Sequence, residues 1–272
     1  MRLRRIDVHR KGYRPVIHPT AIVDPTSHIA EDARIGPYAV IGANVEIGSG
    51  TCIGSHAVIQ GPTRIGKNNR ISSFCSLGDA PQDKKYSGET TSLVIGDGNT
   101  IREYCTFNRG TVQDKGVTTI GNDNWIMAYV HVAHDCVVGD DTILANCATL
   151  AGHVEVGDHA CLGAFTTTHQ FCRIGAHSFS AMSTFINKDV PPFVRYAGNP
   201  AKPHGINGKG LKRRGWTIAQ MEDLRGAYKL LYKSGLRLTE ARQAVAELAA
   251  RKPTIALFAE WLQVDSERSI IR

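Results

Sequence analysis

The sequence predicts a mainly β protein, a parallel β-helix of six-residue repeats followed by a small helical domain, and three observations predict it. First, an aliphatic residue returns at every sixth position from Ile17 to Leu77 and resumes from Ile95 to Phe107. It then runs from Ile120 to Ile186, one residue out of phase. Second, 23 of these 26 hexads open with Ile, Val or Leu, and twelve place Gly next, as in Ile35-Gly36 and Val138-Gly139. Third, the period stops after Pro191-Pro192, where helix-start signals take over. Six helical steps of roughly 100° would scatter the aliphatic positions over three faces, so no apolar stripe forms. Short strands suit the pattern. The opening aliphatic and the small fifth residue (Ala33, Ala39, Cys75, Ala148) point inward, and places two to four turn a corner. Three hexads close one triangular coil, so residues 18 apart stack, with strands about 4.8 Å apart.

Taken in order, residues 1–16 form a basic extension, which lacks the apolar run of a secretory signal. Residues 17–192 form the β-helix. Two segments break its repeat, Asp79–Val94 and Asn108–Thr119, and insertions in a solenoid become loops on one face, often the binding face. Residues 193–272 form the helical domain. Thr217-Ile-Ala-Gln220 is a capping box opening a helix toward Gly235. Thr239 caps a second helix ending before Pro253, and Thr254 caps a third.

Composition narrows the function classes. Hydrophobics at 42% and charges at 21% exclude a wholly disordered chain. Seven Cys without a CxxC pair, and no apolar stretch long enough to span a bilayer, point to reduced, buried thiols in a cytoplasmic protein. The net charge of +7 sits entirely in residues 199–272, which carry 14 Lys/Arg against 7 Asp/Glu. That excess is either a solvated helical face or a dock for an acidic partner or phosphorylated ligand. No nucleic-acid partner is expected.

The candidate chemistry lies in His131-Val-Ala-His134-Asp135-Cys136, in Leu150-Ala-Gly152-His153 and in His169-Gln170. Because residues 18 apart stack, His134 should neighbour Gly152 and His153, with His169 on the third coil. The three imidazoles would line a ridge. Such a ridge suits a general base held by a carboxylate or a three-His zinc site, and spacing alone leaves both open.

Those strings, with Gln82-Asp83-x-Lys85-Tyr86, Arg109-Gly110-Thr111 and Gly210-Leu-Lys-Arg-Arg-Gly215, resemble the UDP-N-acetylglucosamine O-acyltransferases of lipid A biosynthesis. The likeness runs over nearly the whole chain beyond the N-terminal extension. It implies a left-handed β-helix, although the general crossover rule favours the right hand. It implies a homotrimer with sites between subunits, and no metal or cofactor. The implied reaction moves an (R)-3-hydroxyacyl chain from acyl carrier protein to the 3-hydroxyl of UDP-GlcNAc. His134 matches the family's general base, Asp135 its orienting partner, and Gly152 the main-chain N–H that stabilises the oxyanion. Gln82 belongs to the first-loop motif, where Asp83 and Lys85 match sugar and phosphate contacts. His131, His153, His169 and Gln170 match residues around the sugar, diphosphate and acyl arm. Asn207, Arg213 and Arg214 match nucleotide contacts; read alone, Lys212-Arg213-Arg214 would be an ordinary basic helix start. Met182 matches the position that closes the acyl groove. A side chain that long favours donors of about ten to twelve carbons, unless it simply fills the coil interior. The chain departs from the pattern at Lys209, where an acidic ribose contact is expected, and at Asn108, where some members have His. The alternatives are a related acyltransferase acting on an amine, a three-His zinc hydratase, and a non-catalytic β-solenoid. The two loops and the His cluster disfavour the last.

Overall fold

The computed structural model describes residues 16–272, so residues 1–15 of the basic extension lie outside the described residues. The chain winds into a left-handed parallel β-helix of triangular section. Among the described residues its short strands form three flat sheets. The first face runs from Ile22–Val23 to Phe185–Ile186, the second from His28–Ile29 to Arg173–Ile174, and the third starts at Arg34–Ile35. Strands pair in register with the next coil, Ile41 with Ile59 and Leu144 with Leu162. Every opening aliphatic therefore stacks on its equivalent. Ile59, Leu77, Ile101, Val132 and Leu150 have no exposed surface.

Two coils are longer than 18 residues, and the pairing shows by how much. Leu77 pairs with Phe107, 30 residues on, and Ile101 with Ile126, 25 residues on. The second figure produces the phase slip in the repeat. The loops are tighter than the breaks in periodicity suggest, covering 80–91 and 109–116. Strands Ser76–Asp79, Ser92–Ile95, Thr106–Asn108 and Val117–Ile120 extend past their hexads. Backbone hydrogen bonding carries the ladder on where the aliphatic signal lapses.

Seventeen of the eighteen non-glycine residues with positive φ occupy the fourth place of a hexad, among them Tyr38, Asp135, His153 and Phe171. The corner is thus made by a left-handed residue at place four. Gly at place two serves close stacking instead: a Cβ on Gly48 would lie 2.6 Å from the carbonyl oxygen of Gly66 in the next coil. Along the edge between the third and first faces, Tyr38, His56, Phe74, Tyr104 and Tyr129 stack ring on ring at 4.8–5.2 Å. Tyr129 in that ladder is 57% exposed.

Beyond the Pro pair the third face continues. Val194–Ala197 joins it in parallel, and Lys202–Ile206 folds back antiparallel, so the chain after 192 is not helical from its start. Helix α1 (Gly208–Arg213) follows, with Lys212 and Arg213 in its last turn and Arg214 as its C-cap. The basic run therefore ends a helix, where cations suit the dipole, and does not begin one. Helix α2 (Ile218–Tyr232) opens with the Thr217/Gln220 capping box. Helix α3 (Leu238–Arg251) starts one residue before Thr239. Its N-cap is Arg237, whose N–H donates to Glu240. Pro253–Ile255 forms a 3-10 turn, and α4 (Ala256–Gln263) follows it, so Thr254 caps nothing. All seven thiols are free; Cys75, Cys105, Cys136 and Cys172 are buried, whereas Cys52, Cys147 and Cys161 are only half-buried.

Candidate active site

Both loops leave the edge between the first and second faces, and the same edge carries the turns at 133–136, 151–154 and 169–172. His134 stands at the third place of its turn, 6% exposed, with Nδ1 2.9 Å from Asp135 Oδ2. Asp135 occupies the left-handed fourth place and has no exposed surface. Its carboxylate accepts the Thr111 N–H at 3.0 Å and the Thr111 hydroxyl at 2.6 Å. Burial alone would raise this carboxyl. Hydrogen bonds from His134 and from Thr111, with His153 close by, outweigh burial and hold it below the ordinary carboxylate range. An ionised carboxylate only accepts, so His134 carries its proton on Nδ1 and keeps a lone pair on Nε2.

The next coil presses against that ring. A Cβ on Gly152 would fall 2.6 Å from His134 Cε1 and 2.7 Å from Nε2, so this position must be glycine for the imidazole to sit where it does. Among the described residues no acceptor is paired with the Gly152 N–H. His153 meets His134 edge-on at 4.9 Å, stacks on Phe171 at 4.3 Å, and places Nδ1 2.7 Å from Asp114 Oδ2 of the second loop. A cavity of ≈ 530 Å³ opens here, lined by Asp83, Lys85, His134, His153, Gln170 and Glu267 among others. An adjoining hollow of ≈ 500 Å³ touches Gln82, Asn108, Gly152 and Gln170. Gln82, Asp83, Lys85, His134, Asp135, Gly152, His153 and Gln170 are thus brought together.

The ridge of three imidazoles is not what forms. Place four of successive coils holds Asp135, His153 and Phe171, whereas His134 is at place three and His169 at place two. The side chains therefore leave the turns in different directions, and Phe171, not His169, continues the stack. His169 is exposed, with Nδ1 3.0 Å from Arg268. His131 lies on the first face, Nδ1 2.7 Å from the Thr106 hydroxyl, its pKa lowered chiefly by burial. A three-His zinc set is accordingly not assembled. The close ligand group among the described residues is His134, Asp135 and His153, and Thr111 and His134 already occupy the carboxylate of Asp135.

Three expected residues lie elsewhere. Asn207, Arg213 and Arg214, with Lys209, line a cavity of ≈ 870 Å³ against the third face, beside Cys161 and Phe179. Asn207 caps α1 through Oδ1 and donates from Nδ2 to the His177 carbonyl. Met182 is 66% exposed on the edge between the third and first faces, so it does not fill the coil interior. Sequence reading missed Asp114, Ser266, Glu267 and Arg268, which lie in a loop and a tail without periodicity. Thr111 was visible only as part of a motif.

Comparison with known proteins adds independent findings. Residues 189–271 match the family model described as Udp N-acetylglucosamine O-acyltransferase, Domain 2. Residues 14–49 and 118–152 match bacterial transferase hexapeptide repeats. The acyl-[acyl-carrier-protein]–UDP-N-acetylglucosamine O-acyltransferase of Thiobacillus denitrificans is 58% identical over 256 residues, 94% of this chain and 99% of its own. The enzyme of the same name from Verminephrobacter eiseniae is 61% identical over 240 residues, 88% of this chain and 92% of its own. Among solved structures, the UDP-N-acetylglucosamine O-acyltransferase of Moraxella catarrhalis superposes with a TM-score of 0.93 at 47% identity, covering 95% of this chain and 100% of its own. The Francisella novicida acyltransferase gives 0.92 at 43%, covering 94% of each.

Proposed function

The chain belongs to the UDP-N-acetylglucosamine O-acyltransferase family, and on that premise we propose how its residues carry out the family's reaction. An (R)-3-hydroxyacyl chain moves from acyl carrier protein to the 3-hydroxyl of UDP-GlcNAc, opening lipid A biosynthesis. Asp135 holds the Nδ1 proton of His134, and Nε2 takes the proton of the acceptor hydroxyl as its oxygen attacks the thioester carbonyl. The Gly152 N–H stabilises the tetrahedral oxyanion. Collapse breaks the carbon–sulfur bond, and His134 returns its proton to the departing thiol. Asp83, Lys85, His153 and Gln170 line the acceptor's place, with Gln82 at its rim and His131 and His169 beside it. No cofactor enters this scheme.

The buried His134–Asp135 pair carries this reading. It supplies a base of fixed tautomer next to a glycine that any larger residue could replace only by displacing the ring. Asn207, Arg213 and Arg214 bind the nucleotide, and two adjacent guanidiniums suit a diphosphate. Their cavity adjoins the third face, whereas His134 lies on the edge between the first and second. A complete site therefore takes two copies, and a cyclic homotrimer supplies each site with both halves. The exposed aromatic ladder and Met182, on the edge between the third and first faces, give that assembly an apolar contact surface. Residues 199–272, which hold the whole charge excess, receive the acidic carrier protein. Among the described residues no helix is long and apolar enough to cross a membrane, and seven free thiols suit the reducing cytoplasm.

Mass spectrometry of the product formed from UDP-GlcNAc and a ladder of 3-hydroxyacyl carrier proteins tests the reading. An O-linked 3-hydroxyacyl ester, formed equally well in the presence of chelator, is the expected result. An amide product, or activity that chelation abolishes and zinc restores, would overturn it.

A further inference from the structure

The last residues of the chain return to the β-helix as a strap. Ser269 accepts the Asp189 N–H at 2.9 Å, and Ile271 donates back to the Asp189 carbonyl at 2.8 Å, which makes a parallel bridge to the final coil. Ile271 is 1% exposed, and Arg173 lies over the Trp261 ring at 4.7 Å. The segment between these anchors is therefore fixed, and Ser266 and Glu267 form part of the wall of the ≈ 530 Å³ cavity. From it Arg268 reaches two consecutive residues of the 169–172 turn. Its Nε donates to the Gln170 carbonyl at 3.0 Å, and its Nη2 lies 3.0 Å from His169 Nδ1.

A guanidinium has only donors, so Nδ1 of His169 must accept and its ring proton must sit on Nε2. His169 Nδ1 is also 3.3 Å from the Gln170 carbonyl, a contact that would need the opposite tautomer. The guanidinium contact prevails because it is shorter and charge-assisted. We propose that Arg268 is a positioning residue. It clasps the His169–Gln170 turn from the C-terminal strap and fixes His169 as the Nε2–H tautomer, a hydrogen-bond donor toward the acceptor sugar. The clasp holds one wall of the site at the height of Gln170, which lines both hollows. Its catalytic consequence rests on the reading of His169 and Gln170 as acceptor contacts.

The test uses full-length protein labelled with 15N-histidine at about pH 8, above the ordinary imidazole range, with His169→Ala identifying the signal. In the parent His169 should show the Nε2–H pattern. In Arg268→Ala that pattern should give way to a tautomer mixture, and kcat/KM for UDP-GlcNAc should fall about tenfold, mainly through KM. Arg268→Lys restores one donor of the two and should recover part of both signals. An unchanged His169 spectrum in Arg268→Ala overturns the proposal whatever the activity does, and so does a parent that shows the Nδ1–H pattern. His169→Ala decides the underlying reading separately: a fully active variant removes His169 from the acceptor contacts, while the spectrum still decides the clasp.

Discussion

A carboxylate withdrawn from water is tolerable only when its oxygens are fully paired, and Asp135 meets that condition through Thr111 and His134. The same bonds leave His134 with one free nitrogen. His134→Ala should lower turnover by about two to four orders of magnitude with the fold retained, because the ring sits on a turn and not in the coil interior, but with a lower thermal midpoint, because Asp135 loses a partner. Thiol release from acyl carrier protein measures the loss; a variant within about threefold of the parent would remove His134 from the mechanism. Gly152→Ala drives a methyl into the ring it faces. A displacement of the base by about 1 Å should cost roughly a hundredfold in kcat with KM for UDP-GlcNAc nearly constant; an effect on KM alone would count against a role in acyl transfer. That His134 would neighbour Gly152 and His153 was legible in the sequence, because coil stacking turns an 18-residue interval into contact. The direction of each side chain was not. It depends on which place of the hexad is left-handed, and that place holds Tyr, Phe, His and Cys as well as the turn-forming Asp, Asn and Ser, so residue type alone does not mark it. Asp114 and Arg268 had no signal, since no period relates a loop or a tail to the coils.

At the scale of the element, the coils tolerate polar residues where a ladder satisfies them. The buried side chains of Asn69, Asn99 and Asn124 each bond the next coil, ending on Thr142. The same stacking puts His177 between His159, at 4.5 Å, and Phe193, at 5.2 Å, with the edge of Trp216 nearby. Burial pushes this imidazole down to about 4, helped by His159 and Arg214. In the unfolded chain it titrates near 6.5. Between those values the unfolded state binds more protons, so this contribution to stability is complete above about pH 6.5 and is lost as pH falls toward 4. His177→Phe keeps the ring stack and removes the titration. Its thermal midpoint should fall less than the parent's between about pH 7 and pH 4.5, and parallel declines would exonerate His177. The strands were readable from the hexads because their signal repeats in every coil. The helix starts were less so: Arg237 and Ile255 occupy N-cap positions without a capping side chain of the usual type.

The molecule as a whole presents one cavity at the edge between the first and second faces, another against the third face, and a row of stacked rings open to water. Tyr104 and Tyr129 lie 4.8 Å apart in that row, and in the proposed trimer a carboxylate placed there would be buried against its symmetry mates at a cost. Tyr129→Glu should therefore shift the protein toward monomer in light scattering and abolish acyl transfer, although His134 is untouched. An active monomer would defeat the two-copy site. Met182 sits on the same edge. Met182→Gly should move the donor preference from about ten to twelve carbons toward longer chains, a change of roughly ten- to hundredfold in relative kcat/KM. A parent that already favours fourteen carbons would show that Met182 is not the stop. The regular winding also sets a scale for that preference. In a cyclic assembly with its axis along the β-helix, neighbouring copies stand at the same height, so axial distances within one chain hold between chains. Residues 134 and 182 are separated by 48 positions of uninterrupted repeat, about 13 Å of rise at roughly 4.8 Å per coil. With Met182 as the proposed stop, the protein would be a caliper with two adjustments. Exchanging the side chain at the stop tunes the opening by single methylenes, whereas moving the stop by one whole coil would change it in a jump of about four. Donor length in this architecture should therefore diverge in coarse steps refined by point substitution.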